Sequence, residues 1–439
     1  MKHTATLGNR FPGNRPSPLL RILDFPTMLG VILLLFGAVH FEIVQSAAGE
    51  DWGQHLGPSR NGLSAETDLI DTFPASGPSV VWRVPGGVGM SAVSVVGDTA
   101  VTTMNRDGKQ VVTALNAKTG EIRWTTGVAP AYRNAMGDGP RATPTIDGSS
   151  VYVYTGEGIL VALDLKTGKV RWQHDLPQEY GGKPSEYGMS CSPLVLGSTV
   201  VVAVGAPKAT VVALDGETGK LLWQTPSSDP AGYSSPALLT LNKKRQLVTF
   251  TGGAVLGIDP KTGAELWRYP FVTDYNCNTA TPIAIGENVL ISSGENHGSA
   301  LLDVTGAKAK EIWTSLGTKS ALRSEWQTPV LLGNYLYGFD NVGSAGPVTH
   351  LTCVDARTGA TVWRQARFGK GNLIAADGKL WITLMTGELV IVRATPDSFQ
   401  ELARAEVLAD TRQIGTLSQG HLYLRDGKEI LCIDVRQPK

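Results

Sequence analysis

The sequence predicts an all-β protein, an eight-bladed β-propeller made of four-stranded antiparallel blades. Three observations predict it. A hairpin signature, D-x-x-T-G followed by Trp, recurs along the chain with its tryptophans 44 to 51 residues apart. One hairpin cannot bury its own apolar face, so such repeats must stack on each other. The two ends of the repeat region also hold incomplete units that complement each other.

The clearest hairpin runs from Ile159 to Trp172. Asp164 ends an apolar strand, where its carboxylate can accept hydrogen bonds from the turn that follows. Gly168 supplies the positive φ of a tight return. Tryptophan in the next strand is suited to filling the seam between two blades. The predicted seam residues are Trp82, Trp124, Trp172, Trp223, Trp267, Trp313 and Trp363.

Proline after Ser or Thr marks the start of the inner strand in five units, because a missing N–H does least harm at a strand start. Six complete units are predicted near 91–124, 141–172, 190–223, 233–267, 279–313 and 326–363. A seventh, 372–406, has lost both the D-x-x-T-G turn and the terminal Trp. An eighth, 413–434, has room for three strands only.

The missing fourth strand is predicted to come from the amino-terminal side. Residues Ser79 to Val84 contain Trp82 in a fourth-strand pattern and have no hairpin before them. Pairing Val80–Val84 beside Leu431–Asp434 would close the ring, so that the propeller spans residues 78–439. The alternative is seven complete blades with residues 413–439 as a tail.

Residues 1–48 differ from the rest of the chain. A basic leader precedes an apolar run of 12 residues, Met28 to Val39, and Ser46-Ala47-Ala48 offers small residues for cleavage. This pattern is typical of a secretory signal peptide, and an uncleaved anchor is the alternative. Translation from Met28 is also left open. The protein is therefore expected in the periplasm or outside the cell, with membrane contact only through an uncleaved amino-terminal segment.

Residues 49–77 are predicted to form an extended arm. Its stretch from Trp52 to Gly62 is rich in turn formers and lacks strand periodicity. The favoured interpretation is an arm packed across one face of the propeller. The other interpretation is a plug that faces a ligand with Trp52, His55 and Arg60.

Composition excludes some functions. The 39 basic and 39 acidic residues balance, which argues against a nucleic-acid surface. Cys191, Cys277, Cys353 and Cys432 lie far apart without metal-ligand spacing, and we expect four buried free thiols and no disulfide. No catalytic set and no metal site is apparent.

The D-x-x-T-G hairpins and the Thr-Pro and Ser-Pro strand starts resemble the pyrroloquinoline-quinone-type repeats of eight-bladed propellers. The resemblance covers nearly all of the chain after residue 48. Two related families are the quinoprotein alcohol dehydrogenases and the propeller lipoprotein of the bacterial outer-membrane β-barrel assembly machine, a non-enzymatic scaffold. Stretches such as Gly139–Pro144 and Tyr275–Pro282 look most like secreted bacterial quinone-binding-like propellers.

The dehydrogenase resemblance implies a pair of adjacent bridged cysteines, a calcium site and an Asp base. This sequence has no Cys-Cys dipeptide, and the other features cannot be placed on it. The leading hypothesis is therefore a monomeric, non-enzymatic scaffold without cofactor that binds a protein partner or an extracellular ligand. The alternatives are a quinone- and calcium-dependent dehydrogenase and a carbohydrate-binding or cell-surface structural module.

Loops on one face of the propeller are expected to form a binding rim of aromatic, amide and arginine side chains. The main candidates are Arg141, Tyr187, Ser190, Tyr233, Asn276, Asn278, Trp326 and Gln327. Further candidates on the same face are Glu157, Ser234, Glu295, His297, Lys370 and Asn372.

Overall fold

A computed structural model describes residues 49–294, 296–343 and 348–438. The predicted signal peptide or anchor, residues 1–48, and the candidate rim residue Glu295 lie outside these ranges. Within them, no helix combines the length and the apolar character that a membrane span requires.

Eight four-stranded antiparallel sheets form the predicted eight-bladed propeller. Blades 1 to 4 take their strands in sequence order from the inner to the outer edge. These strands are β2 (Ser94–Val96), β3 (Thr99–Arg106), β4 (Lys109–Asn116) and β5 (Ile122–Pro130); β6 (Thr145–Asp147), β7 (Ser150–Tyr154), β8 (Ile159–Asp164) and β9 (Val170–Asp175); β10 (Leu194–Leu196), β11 (Thr199–Ala206), β12 (Ala209–Asp215) and β13 (Leu221–Gln224); and β14 (Ala237–Leu241), β15 (Lys244–Phe250), β16 (Ala254–Ile258) and β17 (Glu265–Pro270).

Blades 5 to 7 repeat this order, and blade 8 combines both ends of the propeller. The strands are β18 (Ile283–Ile285), β19 (Asn288–Ser293), β20 (Gly298–Asp303) and β21 (Lys310–Leu316); β22 (Val330–Leu332), β23 (Tyr335–Asn341), β24 (Thr349–Asp355) and β25 (Thr361–Gln365); β26 (Gly371–Ala376), β27 (Lys379–Leu384), β28 (Glu388–Arg393) and β29 (Glu401–Glu406); and β30 (Thr416–Ser418), β31 (His421–Arg425), β32 (Glu429–Asp434) and β1 (Ser79–Pro85). The described helices are one four-residue α-helix, α1 (Leu176–Glu179), and two 3-10 turns, Asp274–Asn276 and Gly317–Lys319.

Ring closure follows the prediction. Strand β1 pairs antiparallel with β32, and its register places Val80 opposite Ile433 and Trp82 opposite Cys432. The amino-terminal strand thus completes the last blade, and the seven-bladed alternative is wrong. Closure packs the apolar faces of blades 8 and 1 against each other, which an incomplete ring would leave in water.

A buried arginine strengthens the same seam. Arg425 in β31 is 1% exposed and reaches out of blade 8 toward blade 1. Its Nη1 donates to the Thr103 carbonyl oxygen at 2.6 Å and to Thr102 Oγ1 at 2.8 Å. Its Nη2 donates to the Gly87 carbonyl oxygen at 2.5 Å. The carbonyl oxygens and hydroxyl thus replace the water that the guanidinium loses on burial.

Six of the seven predicted seam tryptophans bond to the following blade. Trp82, Trp223 and Trp267 are buried, and the other four are half-buried. Six indole N–H groups donate to a backbone carbonyl oxygen in the turn region of the following blade. These bonds run from Trp82 to Ala117, Trp124 to Leu165, Trp172 to Gly216, Trp223 to Pro260, Trp313 to Ala356 and Trp363 to Thr395.

Two features of the D-x-x-T-G turn require glycine at its last position. Gly168 has a φ of 70°, which side chains disfavour. A Cβ on Gly168 would also lie 2.5 Å from the ring of Trp124 in the preceding blade. Asp164 holds the turn by accepting from both the backbone N–H and the hydroxyl of Thr167. The D-x-x-T-G turn and the Trp before it are therefore two halves of one inter-blade contact.

Trp267 is the exception among the seam tryptophans. Blade 5 has the altered turn Asp303–Gly306, and Trp267 in blade 4 makes no indole bond to it. Its Nε1 donates at 2.7 Å to Gln246 Oε1 within its own blade. The indole lies over Gly257, where a Cβ would be 2.1 Å away. Trp363, before the blade that lost the turn, keeps its bond, so an altered turn by itself does not redirect the indole.

The arm lies across the propeller, as the favoured interpretation expects. Trp52 is 1% exposed and exchanges two backbone hydrogen bonds with Val95 of blade 1. Further on, Leu63 forms a bridge with Ala375 of blade 7. The Ile70 N–H then donates to the Val435 carbonyl oxygen, just after the last strand. The arm therefore ties together the consecutive blades 7, 8 and 1.

All four cysteines are free, which confirms the prediction of no disulfide. Cys191, Cys353 and Cys432 are buried as expected. Cys277 is not fully buried, so the expectation of four buried thiols is wrong for this residue. It follows the 3-10 turn Asp274–Asn276, in the loop that leads to blade 5.

We predict that Gly168→Ala destabilises the protein more than Gly148→Ala. Both glycines have positive φ, so both substitutions impose backbone strain of about 1–2 kcal/mol. Nothing lies within 4 Å of a Cβ at Gly148, whereas the Trp124 ring blocks Gly168. Overpacking should add about 1–3 kcal/mol at Gly168 alone. Urea unfolding of both variants measures the difference, and equal losses would show that the turn does not clamp the tryptophan.

Deletion of residues 49–84 is expected to give an aggregating protein. The deletion removes β1 and leaves the β32 edge and the apolar seam around Trp82 open to water. Soluble yield and size-exclusion chromatography measure the outcome. A chain that begins at Gly49 is the control and should stay soluble. Recovery of a soluble, cooperatively unfolding monomer without residues 49–84 would contradict the closure argument.

Candidate functional site

A cavity of about 230 Å³ opens where the loops leading to the inner strands meet. Seven of the eight blades contribute a residue close before their inner strand, and blade 7 contributes Asn372 from its inner strand β26, so the cavity is the mouth of the central channel. We call it the channel-mouth cavity. Its lining residues are His55, Leu56, Met90, Met136, Arg141, Thr143, Tyr187, Ser190, Ser192, Tyr233, Ser235, Tyr275, Cys277, Thr279, Glu325, Trp326, Thr328, Asn372, Arg412 and Ile414.

Arg141 is fixed at the wall of this cavity by backbone oxygens. Its Nε donates to the Tyr187 carbonyl oxygen at 2.6 Å, and its Nη2 to that of Gly137 at 2.7 Å. Its Nη1 donates to the Gly139 carbonyl oxygen. The guanidinium carbon lies 4.5 Å from the Tyr132 ring centroid. Burial is the largest influence and lowers the pKa of Arg141; Tyr132 and Asp138 nearby raise it, and the charge of Arg412 lowers it.

Arg412 approaches the same loop from the other side of the ring, in the connection between blades 7 and 8. Its Nη1 donates to the Met136 carbonyl oxygen at 2.6 Å. Its guanidinium carbon lies 4.9 Å from the Trp326 ring centroid. Residues 136–139 are thus held between two guanidinium groups. In the described part of the chain, both groups use backbone oxygens and aromatic faces rather than carboxylates as partners.

Three tyrosines form an aromatic surface at the cavity. The rings of Tyr187 and Tyr233 are stacked, with centroids 5.8 Å apart. Tyr275 lies 6.0 Å from Tyr187 at a tilt of 47° and is 61% exposed. The Tyr187 N–H donates to the Tyr233 hydroxyl oxygen at 3.2 Å. The hydroxyl of Tyr233 therefore keeps its own proton for donation to another group.

Tyr275 is held in an unusual backbone conformation. Its φ is 55° and that of Asn276 is 58°, so two consecutive side-chain-bearing residues are left-handed. Such residues cost of order 1–3 kcal/mol each and tend to cluster at binding sites. Buried Asn278 holds the loop, since its Nδ2 donates to Thr251 and Phe271 carbonyl oxygens. This left-handed backbone conformation places the Tyr275 ring at the channel mouth.

A belt of hydroxyl groups surrounds the floor of the cavity. The N–H groups of Ala92, Thr143 and Ser192 donate to the hydroxyl oxygens of Thr143, Ser192 and Ser235, each in the following blade. The Thr281 N–H donates to Thr328 in the same way. These residues are the Thr-Pro and Ser-Pro pairs of the sequence. Each hydroxyl accepts from backbone and retains one O–H to donate.

Glu325 is the one carboxylate among the cavity-lining residues, and it is already paired. Its Oε2 lies 2.6 Å from Lys370 Nζ. Lys370 Nζ also lies 4.2 Å from the Trp326 ring centroid. The cavity therefore carries a positive balance from Arg141 and Arg412.

The arm closes the inner end of the cavity. His55 and Leu56 line it, while Arg60 lies beneath, 3% exposed. Arg60 donates to the carbonyl oxygens of Ser192 and Pro193, both at 2.9 Å. Burial lowers its pKa to about 10. Burial, and then the charge of Arg60, lowers the pKa of His55 to about 3, so His55 is neutral at physiological pH.

The sequence placed five of the eight main candidates on the cavity wall: Arg141, Tyr187, Ser190, Tyr233 and Trp326. Asn372, a further candidate, lines it too. The other three do not. Asn278 is buried as a loop support, Asn276 stands beside Gly252, and Gln327 is buried with its Oε1 accepting from the Phe339 N–H.

Sequence reasoning missed several wall residues. Arg412 follows the blade that lost its signature, so no repeat pattern marked it. Met90, Met136 and Tyr275 lie on loops without periodicity. Glu325 precedes Trp326 directly and could have been found from that position. His55 was considered only with the plug interpretation of the arm.

The described residues hold no cluster of three or more His, Cys, Asp or Glu side chains that could bind a metal ion. A calcium ion with pyrroloquinoline quinone needs such oxygen ligands. At the channel mouth, Glu325 is engaged by Lys370, and two guanidinium groups oppose a divalent cation. These residues do not fit a calcium–quinone centre.

The fold and this site define a propeller of the pyrroloquinoline-quinone-like repeat class. A family model described as outer membrane protein assembly factor BamB matches residues 108–365, and the chain belongs to that family. No protein with a curated description matches the chain.

Solved structures share the fold at low sequence identity. BamB from Moraxella catarrhalis is 18% identical, with a TM-score of 0.57 over 82% of this chain and 99% of that one. The quinohemoprotein alcohol dehydrogenase ADHIIG from Pseudomonas putida HK5 is 13% identical, with a TM-score of 0.63 over 89% and 81%. The enzyme of the same class from Comamonas testosteroni is 14% identical, with a TM-score of 0.62 over 90% and 82%. At these identities the similarity establishes the fold alone.

We predict that His55 makes the folded state less stable in acid. Its pKa is about 3 when folded and near 6.5 when unfolded, so the unfolded chain binds an extra proton between these pH values. The free energy of unfolding should therefore fall as pH drops from 7 to 4, with a His55 contribution of about 3 kcal/mol. Urea unfolding at both pH values, compared with His55→Gln, measures it. Equal pH slopes for both proteins would refute this role.

Proposed function

We propose that this protein is a non-enzymatic binding scaffold that holds a protein partner or an extracellular ligand at the channel mouth. One observation supports this most directly: two guanidinium groups, held by backbone carbonyl oxygens, and three tyrosine rings meet at an open cavity. Exposed arginine and tyrosine are the residues that most often anchor partners at binding sites.

Rigidity of the mouth also supports a binding role. The wall residues are held by backbone hydrogen bonds, and the belt of hydroxyl groups fixes neighbouring inner strands to each other. A site fixed before binding loses less entropy when the partner arrives. The eight-bladed ring is thus suited to presenting the channel-mouth residues to a partner in a fixed arrangement.

The proposed location is the periplasm or the cell exterior. The basic leader and the apolar run Met28 to Val39 support export. We further propose that the protein is a monomer, because ring closure leaves no blade edge that needs a second copy. Cell fractionation and multi-angle light scattering test these two statements, and a cytoplasmic protein or a stable dimer would refute the corresponding one.

The alternative functions have less support. A quinone-dependent dehydrogenase needs a calcium centre that the cavity residues do not fit. A carbohydrate-binding module with a tryptophan platform is not favoured, because the repeat tryptophans fill separate seams instead of sharing one rim.

A photo-crosslinking residue at position 275 tests the scaffold proposal. We expect p-benzoylphenylalanine in place of Tyr275, which is 61% exposed, to give one adduct of discrete mass in the native host. The same residue in place of Lys166, in a D-x-x-T-G turn, is the control and should give none. The adduct should weaken at least about tenfold when Arg412→Gln is added. No adduct at position 275, or one equally strong at position 166, would overturn the proposal.

A further inference from the structure

The arm, residues 49–77, contacts the propeller as a docked segment. All eight blades have their four strands without it, since the closing strand β1 begins only at Ser79. The arm meets the inner strands through isolated bridges, such as that of Trp52 with Val95. Side chains at three points of the arm then fix it to the propeller, and each of these anchors uses a different chemistry.

The first anchor is Arg60, which binds backbone oxygens of blade 3. Its Nη1 donates to the Pro193 carbonyl oxygen and its Nη2 to that of Ser192, both at 2.9 Å. Gln54 of the arm adds a third acceptor, since its Oε1 lies 3.1 Å from Nη1. The guanidinium is buried, so these oxygens replace the water that it loses. Hydrogen bonds of a charged donor in such a site are stronger than those between neutral groups.

The second anchor is Glu66, which binds backbone N–H groups of blade 8. Its Oε1 accepts from the Gln419 N–H and its Oε2 from the Gly420 N–H, both at 2.6 Å. Gln419 and Gly420 have φ values of 54° and 72°, so a left-handed turn directs two successive N–H groups at one carboxylate. Such a backbone nest is a binding site for anions. The chain fills this nest with its own buried glutamate.

The third anchor is Leu69, whose backbone is clamped by two side chains of blade 7. The Leu69 N–H donates to Asp377 Oδ2, and Lys379 Nζ donates to the Leu69 carbonyl oxygen, both at 2.9 Å. Asp377 and Lys379 are themselves paired at 2.7 Å. The Leu69 side chain is buried in an apolar cluster with Trp381. Polar groups thus hold the backbone while a pocket takes the side chain, which is how extended peptides are recognised.

The anchors lie along the central channel beneath its mouth. Asp377 and Gln419 follow the inner strands β26 and β30, at the end opposite the channel mouth. Arg60 lies higher, and His55 and Leu56 of the arm reach the floor of the channel-mouth cavity. We call the surface that receives the arm the channel-floor site, and define it by Ser192, Pro193, Asp377, Lys379, Gln419 and Gly420.

The backbone of the arm is shaped by this site. Leu56, Arg60 and Asp68 have φ values of 60°, 51° and 59°. Residues with a side chain rarely adopt this left-handed conformation on their own. The docked contacts therefore select a conformation that the free segment would leave, as a binding site does with a flexible ligand.

We propose that the channel-floor site is a peptide-binding site that recognises the arm as its ligand and still does so when the arm is not covalently joined to the propeller. The recognised side chains are Arg60, Glu66 and Leu69. Covalent attachment supplies a high effective concentration, and the three anchors supply specificity. The site lies beneath the channel mouth and does not depend on the partner proposed there.

Cleavage of the arm after folding tests this site. A protease recognition sequence between Ser76 and Gly77, in an exposed turn, allows the folded full chain to be cut. A fluorescein-labelled synthetic peptide of residues 49–76 is then added in excess, and gel filtration measures the label that elutes with the propeller. We expect saturable binding of a single peptide per cut propeller. Uncut protein with the same insertion is the control and should take up at least about tenfold less label, because its tethered arm occupies the site.

Variants of the synthetic peptide assign the binding without altering the propeller. Glu66→Gln keeps the size of the side chain and removes its charge, and Arg60→Gln removes the guanidinium. Each should weaken binding at least about tenfold. Asp68→Asn is the matched control, because it removes the same charge as Glu66→Gln from an exposed side chain, and it should change affinity by less than about twofold.

Three results would overturn the inference: no uptake of label by the cut protein, equal uptake by the uncut protein, or equal losses from Glu66→Gln and Asp68→Asn. Near-ultraviolet circular dichroism follows the folded state of the cut protein. Loss of that signal on cutting would also overturn it, because the arm would then be an inseparable part of the fold.

Discussion

Ring closure is the constraint on which the rest of this structure depends. Each blade buries its faces only against its neighbours, so one open seam would expose two apolar faces. The chain solves this by pairing β1 with β32, so that strands from both ends share one sheet. Arg425 then crosses the same seam to the backbone of blade 1. The last seam formed along the chain is thus reinforced by both a tryptophan and a buried guanidinium.

The repeat signature is best understood as an inter-blade contact. The turn glycine leaves room for the tryptophan of the preceding blade, and the turn backbone accepts its indole proton. Trp267 is the exception, since its indole turns to Gln246 and Gly257 within its own blade. The turn and the tryptophan that contact each other lie in neighbouring blades. Each blade with the signature therefore carries one of each, and both recur with the period of the blade.

The same geometry creates the channel mouth. Thr-Pro and Ser-Pro pairs begin the inner strands, and their hydroxyl groups join one blade to the next around the channel. Loops before these strands, and the inner strand of blade 7, bring residues from all eight blades to one cavity. Each hydroxyl of the belt accepts one backbone N–H and still has its own proton to donate, and the arginines add further donors. The hydroxyl groups that hold neighbouring blades together therefore also provide hydrogen-bond donors to the cavity.

The sequence by itself determined the fold, the blade number and the closing strand. The spacing of the repeats gives the blade number, and the three-stranded last unit together with the lone amino-terminal strand gives the closing strand. It also placed Arg141, Tyr187, Ser190, Tyr233 and Trp326 on one face, since they lie just before recognisable inner strands. Only the tertiary structure decided that Arg412 joins Arg141, that Tyr275 extends the tyrosine surface and that His55 closes the floor. These residues lie on irregular loops, whose conformation is set by contacts between distant blades rather than by periodicity. Asn278 and Gln327 show the converse, because a position on the right loop does not decide whether a side chain faces the cavity or supports the backbone.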